Sequence, residues 1–233
     1  MNRIINKTRL TAAACLLGTL ASGTALAASE DNWSFDVYLD NKPIGYHSFE
    51  LDGSAGDYTL TTRASFDVKI LFINAFRYRH ENVETWADGC LTGISARTDN
   101  NGEALRVDGE AMAGSFIVSS SGGEQVLPDC VQTFAYWNPE ILTAERLLNS
   151  QTGEFETVDI VFEEREVLAV DGQEIEADRY ALTTKEKTIR LWYSTVGERW
   201  LALEAPARGD RKLRYQAVNL PPTLSDTQVV EAD

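Results

Sequence analysis

The sequence predicts a mainly β fold: an antiparallel meander curled into an open or closed barrel, with one short helix at about 139–149 packing on it or plugging it. Three observations carry this. Apolar and polar residues alternate along most of the chain after Trp33, which is the period of strands that face a core on one side. Turn signals recur at short intervals, among them Asp52-Gly53, Asp88-Gly89, Asp99-Asn100-Asn101-Gly102, Gly122-Gly123 and Asp171-Gly172; that spacing marks an all-β sandwich or barrel. Only the stretch from Asn138 carries helix signals.

The chain opens on a different pattern. Arg3, Lys7 and Arg9 precede an apolar stretch from Leu10 to Leu20, and Ala25-Leu26-Ala27 supplies small side chains at a cleavage position. This is the layout of a secretory signal peptide cleaved after Ala27, and it predicts a periplasmic protein. A transmembrane anchor fits less well, because the apolar run is too short to span a bilayer. A lipoprotein signal ending at Cys15 fits less well too, because Ala12, Ala13 and Ala14 precede it and the apolar run continues past it. The expected division is a signal peptide at 1–27, a single β domain at 28–220 and a disordered tail at 221–233. Pro221-Pro222 stops any strand, and a polar run follows it.

Charge narrows the partners. Removing residues 1–27 takes away three basic residues and no acidic one, so the net charge moves from −15 to −18. Nucleic acid is excluded as an expected partner, since affinity for phosphate backbones comes from Lys and Arg. Cys90 and Cys130 are the cysteines left after cleavage, and in an oxidising compartment they predict one disulfide. Closing a loop of about 40 residues contributes about 4 kcal/mol in the chain-entropy account. Asp88-Gly89 before Cys90 and Asp129 before Cys130 make both settings acidic, which disfavours a reactive thiolate.

The elements follow in order. Trp33, Phe35, Val37 and Leu39 share one face of a first strand, and Asn41-Lys42-Pro43 turns the chain into a second. Tyr58, Leu60 and Thr62, then Ala64, Phe66, Val68 and Ile70, lie on one face of the next strand. Phe76–Trp86 is a further strand, and Leu91–Thr98 and Ala104–Glu110 form a hairpin. For the helix, Asn138 is the cap, Pro139 the first position and Glu140 an acidic first-turn residue, with Ile141, Ala144 and Leu148 as an apolar stripe. Late strands are expected at 175–183, 188–194, 199–205 and 212–218.

Two segments stand out chemically. On Phe76–Trp86 the even positions set Phe76, Tyr78, His80, Asn82, Glu84 and Trp86 on one face. Aromatic walls with sparse hydrogen-bonding groups are the composition of a ligand cavity; the bland alternative is a core strand whose polar groups pair with neighbours. Lys69–Phe76 is apolar on both faces, so it is either a strand buried on both sides or a hydrophobic lip at a barrel mouth. Phe134-Ala135-Tyr136-Trp137 leads aromatics into the helix. The candidate ligand-binding set is therefore Phe66, Val68, Ile70, Phe72, Tyr78, His80, Glu84, Trp86, Tyr136 and Trp137.

No metal and no cofactor is expected. His80-Glu81-Asn82-Val83-Glu84 lacks the second His of a zinc-protease motif and sits on a strand. Strand geometry places His80 and Glu84 roughly 13 Å apart. His47 and His80 are the two histidines, and two His ligands without a third make poor zinc coordination. No nucleophile elbow and no phosphate loop occurs.

Further stretches carry a family likeness. Pro43-Ile44-Gly45-Tyr46-His47-Ser48-Phe49, Phe66-Asp67-Val68-Lys69, Tyr78-Arg79-His80-Glu81, Trp86-Ala87-Asp88-Gly89-Cys90-Leu91 and Phe134-Ala135-Tyr136-Trp137-Asn138-Pro139, with Leu191-Trp192-Tyr193 and Leu213-Arg214-Tyr215 later, span Trp33 to Tyr215. Together they resemble a family of exported bacterial β-rich proteins of unknown function. The strand-turn pattern is similar, more distantly, to exported proteins whose sheets curl into open barrels, some of which carry lipids or lipoproteins across the periplasm. The family brings no established catalytic residues.

Three functional expectations result. The leading one is a non-catalytic periplasmic protein that binds an apolar small molecule or lipid within the barrel. The second is an envelope assembly module with a solid core and a protein partner. The third is a hydrolase-like enzyme using His80 or His47 with a carboxylate.

Overall fold

The computed structural model describes residues 31–54, 56–70 and 73–221. The expected signal peptide, Phe72 and tail residues 222–233 lie outside the described residues, and so does the side chain of Ile70.

Strands β1 (Asp31–Leu39), β2 (Lys42–Ser54), β3 (Asp57–Ile70), β4 (Ile73–Ala87), β5 (Cys90–Asn100), β6 (Glu103–Met112), β7 (Ser115–Ser120) and β8 (Gly123–Pro128) form a continuous up-and-down meander. A connecting segment follows. It holds one 3-10 turn, Pro139–Thr143, and two short paired strands, β9 (Arg146–Leu148) and β10 (Phe155–Thr157). The chain then lays down β11 (Asp159–Val170), β12 (Gln173–Thr183), β13 (Thr188–Ser194), β14 (Trp200–Ala207) and β15 (Arg211–Asn219) as a second meander.

Pairing of β15 with β1 welds the two meanders into one 13-stranded antiparallel sheet with β11 and β8 at its edges. Those edges do not pair with each other, so the sheet is not closed by hydrogen bonds. It is nevertheless strongly curled. Phe66 and Tyr78, on β3 and β4, line the same hollow as Thr184, Lys187 and Ile189 near β12 and β13, although several strands separate them in sheet order.

The alternation read in the sequence is the cause of the inward face. Trp33, Phe35, Val37 and Leu39 of β1 are all buried, and β13 buries Ile189, Leu191 and Tyr193 in the same register. Phe35 packs 4.3 Å, centroid to centroid, from Trp200 at the head of β14. The aromatic and aliphatic residues of the concave face form one continuous core.

Gly45 lets two backbones come unusually close within that sheet. Its φ is +150°, and a Cβ there would lie 1.8 Å from the carbonyl oxygen of Ser65 on the neighbouring strand. Only glycine tolerates both conditions.

Three expectations need correction. The helix at 139–149 is not formed. Asn138 does cap through its side-chain oxygen, which accepts from the Glu140 backbone N–H, and Pro139 does open the turn, but Ala144 is already extended at ψ 141°. Leu147 and Leu148 are adjacent and both fully buried, which the single apolar stripe of a surface helix cannot achieve. β9 buries both, pairing with β10 while Leu148 N–H donates to the Gln132 carbonyl. Second, Lys69–Phe76 is not one strand. β3 ends at Ile70 and β4 begins at Ile73, so the apolar run spans a hairpin end. Third, Asp52-Gly53 lies inside β2, which continues to Ser54.

The connecting segment fills the concavity. Val131, Ala135, Ile141, Leu147, Leu148 and Val158 are all buried in the common core. Cys90 and Cys130 are joined by a disulfide, which fastens the start of this plug to the start of β5. Beside it, Leu91 N–H donates to the Val131 carbonyl. Among the described residues, no helix is long and apolar enough to cross a membrane.

Candidate functional site

Antiparallel register stacks the inward residues of β1–β5 in rows. One row runs Phe35, His47, Ala64, His80 and Thr98. The row on one side is Val37, Gly45, Phe66 and Tyr78, and the row on the other is Trp33, Phe49, Thr62, Asn82 and Ala96. Beyond that lie Leu51, Leu60, Glu84 and Ile94. His47 and His80 thus stand two strands apart with only the methyl group of Ala64 between them.

The plug covers these rows incompletely. A cavity of about 260 Å³ remains, walled by His47, Phe66, Tyr78, His80, Asn82 and Glu84 from the sheet, by Thr133 and Tyr136 from the plug, and by Leu203, Ala205 and Tyr215 from β14 and β15. Gln151 and Lys187 stand at its margin, Lys187 being exposed.

Each polar group in this wall has a definable state. Glu84 is fully buried, and its partners are neutral donors: Asn82 Nδ2 at 2.8 Å, Trp86 Nε1 at 3.1 Å and Thr133 Oγ1 at 3.2 Å. Burial raises its pKa above the ordinary carboxylate value, and the three hydrogen bonds pull back towards the charged form. His80 Nδ1 lies 2.8 Å from Thr98 Oγ1, and burial lowers the ring's pKa to about 4. His47 Nδ1 lies 2.9 Å from Tyr215 Oη, and burial, helped by neighbouring His80, lowers its pKa to about 3. Both rings are neutral at pH 7. Tyr78, whose hydroxyl donates to Gln151 Oε1 at 3.0 Å, and Tyr136 both have their ionisation pushed up by burial.

Two polar atoms are left over. His47 Nε2 and Asn82 Oδ1 are buried without a hydrogen-bond partner, and both residues line the cavity. Unpaired buried polar atoms are costly; Trp33 Nε1, Trp137 Nε1 and Arg199 Nε, away from the cavity, are likewise buried without a partner.

The residues singled out in the sequence divide as follows. Phe66, Tyr78, His80, Glu84 and Tyr136 line the cavity together. Trp86 and Trp137 lie below it, their rings 5.8 Å apart and edge to face. Trp137 also contacts Trp33 and Tyr58. Val68 is half-buried near Leu39, Pro43 and Ile44, outside the cavity. Sequence reasoning left out Thr62, Asn82, Thr133 and Tyr215 from the wall. Asn82 was readable from its even position on β4; Thr133 and Tyr215 come from distant segments, and no local pattern points to them.

A hydrolase-like use of His47 or His80 requires a carboxylate in hydrogen-bond reach. Both imidazoles bond hydroxyl groups instead. Among the described residues, no three His, Cys, Asp or Glu side chains cluster closely enough to share a metal ion.

A family model described as "Domain of unknown function (DUF6134)" matches residues 35–218. No curated protein matches the chain. The fold is similar to the crystal structure of a β-barrel-like protein of domain of unknown function DUF1849 from Brucella abortus, with a TM-score of 0.57 and 17% sequence identity. That likeness covers 84% of this chain and 98% of the other, and at this identity it concerns the fold alone.

Proposed function

We propose that this chain, which belongs to the DUF6134 family of domains of unknown function, is an exported, non-catalytic protein that holds a small, mainly apolar molecule in the cavity beneath its curled sheet. The observation that carries this reading is the hollow of about 260 Å³ walled by Phe66, Tyr78 and Tyr136, with the polar residues His47, His80, Asn82 and Glu84 in the same lining.

Size sets the ligand class. An enclosed cavity of roughly 150 Å³ is enough for benzene, and drug-sized ligands occupy pockets of about 300–1,000 Å³. The hollow therefore suits one ring with a substituent, or a short acyl chain. A two-chain lipid would keep most of its length outside. The signal-peptide pattern at 1–27 supports the exported location, and a disulfide accords with it.

Native mass spectrometry of gently purified protein tests this reading. The expected result is an adduct of small mass that is lost in Ala205→Phe, a variant that places a ring in the hollow from β14. Equal adducts in both proteins, or none in either even after small aromatic compounds are added, would refute it.

The second reading, a protein-interaction module, draws on one observation. Edge strand β11 exposes Val161, Phe162 and Val167, and an unpaired edge is where another chain could add a strand.

A further inference from the structure

The polar groups of the cavity are not a neutral assortment. Glu84 is the most deeply buried carboxyl group of the wall, and none of its partners is a cation. The hydrogen bonds it accepts come from neutral groups and orient its carboxyl group. Asn82, which fixes one Glu84 oxygen through Nδ2, keeps its own oxygen unpartnered. His47 keeps Nε2 unpartnered, and when Nδ1–H donates to Tyr215 Oη that nitrogen is an acceptor. Glu84 thus has three neutral donors and no cation, and Asn82 beside it keeps an acceptor unpaired. Glu156 adds a second carboxylate to the lining, whereas the lining cation, Lys187, is exposed at the margin. The net charge of −15 adds a field of the same sign.

We infer that the ligand is a small organic cation: a protonated primary amine carried on a body of about one ring, with its ammonium group at Glu84 and its apolar part against Phe66, Tyr78 and Tyr136. This rests on the cavity being a small-molecule site and assigns the chemistry of its occupant. An ammonium group has three N–H donors and no acceptor, and it brings the positive charge that is missing among the partners of Glu84. A neutral alcohol supplies one donor and leaves acceptors unpaired. A carboxylate ligand adds like charge beside Glu84, which is unfavourable in a desolvated site. The aromatic walls suit the cation as well, since ring faces attract positive charge.

The experiment compares three probes of one shape on the oxidised full chain at pH 7: benzylamine, benzyl alcohol and benzoate, titrated by ligand-observed NMR. The expected order is benzylamine at least about tenfold tighter than benzyl alcohol, the size of one charge-assisted hydrogen bond, with benzoate weakest. In Glu84→Gln the amine should fall to the affinity of the alcohol while alcohol binding persists. Equal binding of amine and alcohol by the wild-type protein would overturn the cation assignment and leave the small-molecule cavity intact. Tightest binding by benzoate would also overturn it. Binding of no probe would count against the cavity as a site. The wild-type series decides the matter even where Glu84→Gln fails to fold.

Discussion

His47 and His80 couple the stability of the protein to pH in a direction that follows from their burial. Each ring has an unfolded-state pKa near 6.5, which folding lowers to about 3 for His47 and about 4 for His80. As pH falls below 6.5 the unfolded chain takes up protons that the folded chain refuses, so native stability is lost by ~1.4 kcal/mol per ring per pH unit. Glu84 acts oppositely, because its raised folded pKa lets the native state gain a proton first. The net expectation between pH 6.5 and pH 5 is a loss of stability, smaller than the two rings alone would cause. It is read as a falling calorimetric Tm. Replacing both histidines by Gln should remove or invert that slope; an unchanged slope would refute the assignment.

Gly45 is the other residue whose role is individually testable. Gly45→Ala would drive a methyl group into the Ser65 carbonyl oxygen at a backbone conformation that disfavours side chains. The expected cost is about 3 kcal/mol or more, measured as a lower urea midpoint. A change below about 0.5 kcal/mol, the ordinary surface range, would show that β2 and β3 can separate there.

At the scale of elements, the disulfide and the plug act together. Cys90–Cys130 closes a 40-residue separation and anchors the segment that roofs the cavity. Its reduction should cost about 4 kcal/mol by the loop-entropy account. It should also speed amide exchange of Leu147 and Leu148 more than that of β13, because the plug is the part released. Uniform loss of protection over the whole sheet would mean that plug and sheet unfold as one unit.

The plug is also where sequence reading reached its limit. Strands announced themselves because their period of two is local: Tyr78, His80, Asn82, Glu84 and Trp86 alternate with exposed neighbours from Arg77 to Thr85. The cap at Asn138 and Pro139 was legible for the same reason. The fate of Arg146–Leu148 was not, since it is decided by Gln132, Glu145 and β10 rather than by the residues' own pattern. The cavity shows the same division. Its β4 wall could be read from one strand, whereas Tyr136, Thr133 and Tyr215 join it through tertiary packing, and Ala64 reveals its spacing role only once register is known.

For the molecule as a whole, the sheet remains open, with β11 at one edge and β8 at the other. On β11 the apolar Val161, Phe162 and Val167 flank a charged run, Glu163, Glu164, Arg165 and Glu166, which is tied to Asp178, Arg179 and Arg190 of neighbouring strands. Surface ion pairs of this kind add little stability of their own. The open architecture leaves the interior to be filled by the plug, and the incomplete filling is what leaves the cavity.

The existence of that hollow is the central claim, and crystals soaked in 4-bromobenzyl alcohol test it most directly by anomalous diffraction at the bromine edge. The account predicts a bromine peak inside the sheet, between Tyr78 and Tyr136 and within reach of Phe66. An interior with no such peak, and with Tyr136 packed against the stacked pair of Phe66 and Tyr78, would contradict it.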